Sequence, residues 1–284
     1  MSSLSARVTR GLHRRPRARL ALLLSGPVAW LLLAYLGSLI SLFVTSLYRI
    51  DDAGDLQKSI GFSNFSRLLH TEVYRTVALR TIGIALAVTV IDVVLAVPVA
   101  LFIAKIANPR WRSVLVTGVL VPLWASYLVK AYAWRTLLGS PGGVLDKTFG
   151  GSPGYSLASV IVVLAYLWLP YMILPVYAGL ERLPDSLLEA SGDLGAHFGR
   201  TIRSVVVPML FPAIIAGSIF TFSLTLGDYI AVGLVGGSTQ MIGTVVYSNF
   251  SVDLPFAAAF ATVPVLIMVV YLFLVRRSGA LENL

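Results

Sequence analysis

The sequence contains no cysteine, which excludes disulfides, thiol catalysis and cysteine-ligated metal. Its three histidines, His13, His70 and His197, lie in separate segments and show no metal-ligand spacing. Neither a Walker A phosphate loop nor a His-Glu-x-x-His helix appears. Nucleotide hydrolysis and metal-assisted hydrolysis therefore have no seat in this chain. Charge is scarce as well, at 12% of residues, where a soluble domain carries about a quarter. The gaps between charges are long: Arg19 to Arg49, Lys147 to Glu181, Arg203 to Asp228, and Asp253 to Arg276.

What fills those gaps is apolar. A helix needs about 20 apolar residues to cross the hydrocarbon core, and only helices and closed barrels satisfy their backbone in lipid. No stretch alternates with period two, which excludes a barrel. The four gaps read as spans. Two further spans tolerate interior charge, one holding Asp92 and the other Lys130 and Arg135. The expected spans are 20–48, 76–105, 113–138, 157–180, 205–229 and 254–275. The fold class is all-α integral membrane, with six transmembrane helices.

Lys and Arg in the loops set orientation. With the N-terminus inside, fourteen of the 22 basic residues fall on the inner side and eight on the outer. Six of the fourteen, Arg7, Arg10, Arg14, Arg15, Arg17 and Arg19, precede the first span. Both termini are therefore expected to be cytoplasmic. The net charge of +9 reads as topology and attraction to anionic lipid, not as nucleic-acid binding, because no folded basic domain exists. The basic start and apolar run also suit a signal peptide, but the run is too long and ends in no clear cleavage site. The division expected is a basic segment 1–19, a membrane domain 20–275 and a C-terminal tail 276–284.

Between the spans, Gly61–Leu69 looks amphipathic, with Phe62, Phe65, Leu68 and Leu69 at helical spacing. It is expected to lie along the outer surface. Residues 139–154 form a turn-rich outer loop, and residues 233–253 form an outer loop without Lys or Arg. Inside, Asn108-Pro109-Arg110 makes a tight turn. The second inner connection runs over 181–207. Here Asp185–Leu194 is expected to be a short helix begun by Pro184-Asp185. Leu187, Leu188, Ala190 and Leu194 supply its apolar face, and Gly192 and Gly195 reverse the chain. Pro208 and Pro212 shape the entry to the fifth span.

That inner hairpin carries the most specific pattern in the chain. Glu189-Ala190-Ser191 is followed by Gly195 and, nineteen places after the Glu, by Pro208, preceded by Val205 and Val207. It resembles the EAA loop of ABC-importer permeases, with Ser191, Val205 and Val207 as departures. Pro122–Trp134 with Leu137-Leu138-Gly139, Leu226–Tyr229, Gly236-Gly237, Met241–Gly243, Phe250 and Pro255–Ala259 resemble spermidine/putrescine permeases, most of all their first permease subunit. The resemblance covers most of the chain after about residue 60. It implies a type I ABC importer permease fold and a bacterial inner-membrane location. It also implies that the loop is a cytoplasmic coupling helix docked on an ATPase subunit. Small Ala190 and Ser191 allow close approach, Glu189 offers a charge to a basic groove, and Gly195 makes the reversal. The partners implied are two ATPase subunits, a second related permease and an extracytoplasmic solute-binding protein. The chain itself binds no cofactor, and ATP and magnesium belong to the ATPase. It is a transport subunit, not an enzyme.

Candidate solute-path residues are Asp92, Trp124, Tyr127, Asp228 and Tyr229. Asp92 in mid-span costs at least ~2.5 kcal/mol, so it contacts a cation in the path, bonds between helices or stays neutral. Asp228 beside Tyr229 suits an alkyl-ammonium; the alternative is a charge that ends a helix. Trp124 and Tyr127, three apart, share a helix face and line a cavity or an aromatic belt. Trp134 belongs to the belt. Lys130 and Arg135 pair with a carboxylate or snorkel outward. The function expected is alternating-access import of a small solute, a polyamine before iron, thiamine or phosphonate. A membrane-embedded enzyme lacks its clustered catalytic groups, and a channel or secondary transporter leaves the hairpin unexplained.

Overall fold

A computed structural model describes residues 16–51, 53–139 and 142–277. The arginines from Arg7 to Arg15 and the tail beyond Arg277 lie outside the described residues. The element order begins with α1 (Pro16–Ser46), a small hairpin β1 (Arg49–Ile50) and β2 (Leu56–Gln57), and α2 (Ser63–His70). Then come α3 (Glu72–Leu101), a π turn (Phe102–Ile106), α4 (Pro109–Trp124), α5 (Tyr127–Leu138), α6 (Val144–Phe149) and α7 (Leu157–Arg182). The order closes with α8 (Asp185–Asp193), α9 (Phe198–Thr201), a second π turn (Ile202–Val206), α10 (Val207–Gly227), α11 (Ile230–Val235), α12 (Ile242–Asn249) and α13 (Leu254–Arg277).

Among the described residues, five helices are long and apolar enough to cross a membrane, and a sixth span results if α4 and α5 are joined. The expected third span, 113–138, is not one straight helix. It breaks between Trp124 and Tyr127, and its halves meet at 90°. Ala125 and Ser126 are extended there. Pro122 lacks an N–H and weakens the ladder just before the break. Carbonyls freed in lipid need donors, and the Lys130 ammonium gives one to the Pro122 carbonyl at 3.0 Å. Lys130 thus neither pairs with a carboxylate nor snorkels outward.

The core is built by α3, α7 and α10. At the hairpin end, Ala96 and Ala100 of α3 pack with Met172, Val176 and Leu180 of α7 and Leu210 of α10. Small residues bring backbones close in membrane helices. A Cβ at Gly217 of α10 would lie 2.6 Å from the Met172 sulfur. Toward the other end, Val88 packs with Val160, Leu164 and Leu167, and with Val232 and Val235 of α11. Trp134 also packs against this cluster, edge-on to Tyr166 at 5.4 Å. It belongs to the protein interior more than to a lipid belt. Helix α1 packs on α13, yet no residue of its apolar window is buried.

The amphipathic segment after the first span is helical, but the face it buries differs from the expected one. Asn64 and Leu68 are buried, whereas Phe62 and Leu69 are 69% and 68% exposed. The Asn64 amide donates to the carbonyls of Ser46 and Tyr48. It satisfies the end of α1, a demand that apolar spacing alone does not display.

Candidate functional site

Two regions hold the candidate residues: the 181–207 hairpin and, at the opposite end of the bundle, the junction of α10 with α11. In the hairpin, Pro184 fixes an extended entry and Asp185 opens α8. No residue of α8 is buried. Leu188 leans on the core cluster beneath it, while Leu187, Glu189 and Ala190 face outward. The helix ends in a Schellman motif. The Gly195 N–H donates to the Gly192 carbonyl at 2.8 Å, and the Ala196 N–H to the Ser191 carbonyl at 3.1 Å. Gly195 at φ +74° is the left-handed residue that this motif requires. Gly192 does not share that duty. It lies inside α8 with helical backbone, so the expected pair of turn glycines reduces to one.

Two polar tethers hold α8 to the bundle. At its start, Lys105 of the first π turn donates to the Leu183 carbonyl at 2.7 Å and to the Asp185 carboxylate at 2.6 Å. This hydrogen bond, with the charge of Lys105, holds the Asp185 carboxyl below the usual carboxylate range. At its other end, the Ser191 and Thr201 hydroxyls bond at 2.9 Å. Thr201 directly precedes the second π turn, which is followed by Pro208 in the first turn of α10. Pro208 has no N–H to give and its ring crowds the preceding turn, which accounts for the widened ladder at that place. Lys105 escaped the sequence reading, which counted it only toward topology. Its position at the end of the second span was the available signal.

At the opposite end, α10 stops at Gly227 and Asp228 turns extended. Asp228 is only 7% exposed. Its carboxylate accepts from the Tyr127 hydroxyl and, at 3.0 Å, from the Ala231 N–H at the start of α11. Tyr127 in turn stacks on Trp168 with centroids 5.9 Å apart. Trp168 carried no signal in the sequence, being one aromatic within an apolar run. Tyr229 is half-exposed and stacks on Tyr247 at 4.8 Å. Two adjoining clefts share Gly227 and Tyr229; one reaches Tyr247 and Phe250, the other Tyr127, Trp168 and Asp228. A Cβ at Gly243 would sit 2.7 Å from the Asp228 carbonyl, so a glycine is needed for α12 to approach.

Trp124 does not join this group. The break in the third span separates it from Tyr127, and it is 80% exposed while Tyr127 packs inward. The expected shared helix face does not exist. Asp92 is fully buried in the α3 face, and neither carboxyl oxygen has a hydrogen-bond partner among the described residues. The interhelical hydrogen bond expected as one role for it is not formed. Among the described residues no cluster of His, Asp or Glu is arranged to hold a metal. The run Gly150–Gly154 spells Gly-x-Ser-x-Gly. It lies in a loop after α6, and the Ser152 hydroxyl donates to the Leu138 carbonyl at 2.6 Å. The strand-to-helix elbow that makes such a serine a nucleophile is missing.

Residues 63–281 match the family described as "Binding-protein-dependent transport system inner membrane component". The chain is 40% identical over 290 residues to the inner membrane ABC transporter permease protein YdcU of Escherichia coli (strain K12), covering 95% of this chain and 92% of that one. It is 31% identical over 268 residues to the spermidine/putrescine transport system permease protein PotB of the same organism, covering 90% and 96%. Among solved structures, a bacterial alginate ABC transporter in complex with its alginate pentasaccharide-bound periplasmic protein aligns with a TM-score of 0.68. That alignment has 18% identity and covers 98% of this chain and 96% of that one, and it shows the fold alone. The chain therefore belongs to the binding-protein-dependent transport system inner membrane components: it is a multi-pass, non-catalytic permease of an ABC importer.

Proposed function

We propose that this permease forms half of a polyamine pathway, paired with a second related permease and driven by two ATPase subunits that bind ATP and magnesium. Its termini and the 181–207 hairpin face the cytoplasm. In the hairpin, Leu187, Glu189, Ala190 and Ser191 meet the ATPase, Leu188 seats the helix, and Gly195 and Pro208 fix its return. The observation that carries the coupling role is the exposure of α8: a short helix closed by a Schellman motif, with no buried residue, is built to be covered by another protein. Glu189 is its outward charge, suited to a basic groove.

For the solute, support comes from the α10–α11 junction. Asp228, Tyr127, Tyr229 and Trp168 set a carboxylate among aromatic faces beside an open cleft. Alkyl-ammonium groups are attracted to both features. The likeness to a spermidine/putrescine permease points the same way. Asp92 and Trp124 are kept out of the path in this reading, since one is enclosed and the other sits across the break.

The test is uptake of radiolabelled spermidine and putrescine by the reconstituted transporter with its binding protein, together with copurification of the ATPase. The wild type is expected to take up both polyamines. Glu189→Lys is expected to lose ATPase binding and uptake while keeping normal membrane levels. Full docking and uptake in Glu189→Lys would remove α8 from coupling. Uptake of neither polyamine would end the solute assignment.

A further inference from the structure

We propose that Lys105 is a positioning residue for energy coupling: it ties the start of the coupling helix to the second span and carries its movement into the bundle. The inference rests on the coupling role proposed above for α8. Three observations support it.

First, α8 has no buried side chain and no side-chain cap at its N-terminus. Packing alone therefore fixes its direction poorly. Second, the Lys105 side chain is only 13% exposed, although it is a lysine at the end of a span. It is folded inward onto two acceptors, the Leu183 carbonyl and the Asp185 carboxylate. These are charge-assisted bonds, the stronger kind. They reach α8 at the residues where the chain leaves the fourth span. Third, both tethers of α8 end at π turns. Lys105 lies within Phe102–Ile106, and Thr201 directly precedes Ile202–Val206. Single π turns inside helices are frequent at functional sites, because a ladder that has already slipped one residue can slip again.

The two tethers lead to different places. Thr201 leads along α10 to Asp228. Lys105 leads along α3, which packs against both α7 and α10 and reaches the far end, where the Thr81 hydroxyl accepts from the Ile242 N–H at 3.0 Å. A pull on α8 transmitted by Lys105 therefore arrives at α12, beside the cleft of Tyr229 and Tyr247. Without Lys105, the Ser191–Thr201 hydroxyl pair, the packing of Leu188 and the charge of Arg112 acting on Asp185 remain to hold α8 among the described residues.

The absence of native cysteine gives a direct test that needs no solute. Ser248→Cys places a thiol on the exposed face of α12. In the purified complex with its ATPase, labelling of position 248 by a maleimide is timed with and without ATP and vanadate, and normalised to bound ATPase. With Lys105 intact, nucleotide is expected to change the rate. Lys105→Met is expected to reduce that response about tenfold, the scale of a lost charge-assisted bond. Lys105→Arg should restore it, because a guanidinium reaches both acceptors. Asp185→Asn, at a position 74% exposed and unable to disturb the core, should give a partial loss, since the Leu183 carbonyl remains. A full response in both Lys105→Met and Asp185→Asn would overturn the inference and leave α8 coupling untouched. No nucleotide response with Lys105 present would overturn the coupling role itself, and this inference with it.

Discussion

The Tyr127 hydroxyl donates to the Asp228 carboxylate across 101 positions of sequence, joining the broken third span to the end of the fifth. The same hydroxyl lies 3.2 Å from the Ala231 N–H, which also points at Asp228. Removing the hydroxyl leaves the carboxylate one donor short. Tyr127→Phe should destabilise the protein by about 1.5–3 kcal/mol, the range for bonds to charged groups, seen as earlier thermal unfolding in detergent. Asp228→Asn keeps the size and loses the charge. If the carboxylate meets an alkyl-ammonium, uptake per inserted molecule should fall more than protein level does. An unchanged normalised rate at every polyamine concentration would make Asp228 a helix-end residue only.

The hairpin glycines separate cleanly. Gly195→Ala puts a Cβ on a left-handed residue and should cost about 1–2 kcal/mol locally. Gly192→Ala places alanine inside a helix with open space around it and should gain up to about 1 kcal/mol. Amide hydrogen exchange over 185–196 reads both: faster in the first variant, slower in the second. Equal behaviour would mean that the Schellman cap does not hold α8.

Asp92 is a buried carboxyl with no hydrogen bond to satisfy it among the described residues. Replacing an unsatisfied polar group by an apolar one of similar shape is neutral or favourable. Asp92→Leu should therefore raise thermal stability, by about 1–3 kcal/mol, and leave uptake intact. A loss of uptake with normal stability would return Asp92 to the solute path.

The tether at Asp185 also sets a pH response. Lys105 lowers the folded carboxyl below its ordinary value, so the contribution is complete above that value, about 3.9, and is lost as pH falls through the lower folded one. A spin label at position 186 should report constant mobility from pH 8 to 5 and greater mobility only below about 4. Loosening near neutral pH would show that the ion pair is not what holds the helix.

The spans were legible because lipid enforces them: a charge-free run of membrane length admits few other readings. Gly195 was legible because one residue type suits a left-handed return. The break at Ala125–Ser126 was not, since Pro122–Trp134 is apolar enough to read straight through. Lys130 inside that run was its visible trace, and its partner is the Pro122 carbonyl, which no sequence pattern shows. The pairing of Tyr127 with Asp228 depends on how α5 and α11 pack, and the two residues share no spacing rule. Trp124 and Tyr127 misled for the same reason: a three-residue interval means one face only where the helix continues.

The 90° elbow bears on how the chain enters the membrane. Its halves hold 16 and 12 residues, or roughly 24 and 18 Å of helix, and neither crosses a core of about 30 Å. Of the carbonyls freed at the elbow, that of Pro122 is met from within the span by Lys130. Insertion one helix at a time suits the other spans, each long enough to stand alone in lipid. It does not suit this one, whose α5 half is held by Trp134 against Tyr166 and Tyr127 against Trp168, both partners made later in the chain. The third span must therefore wait, incompletely folded, for the fourth. Synthesis halted before residue 157 should leave a protein that quality-control proteases recognise.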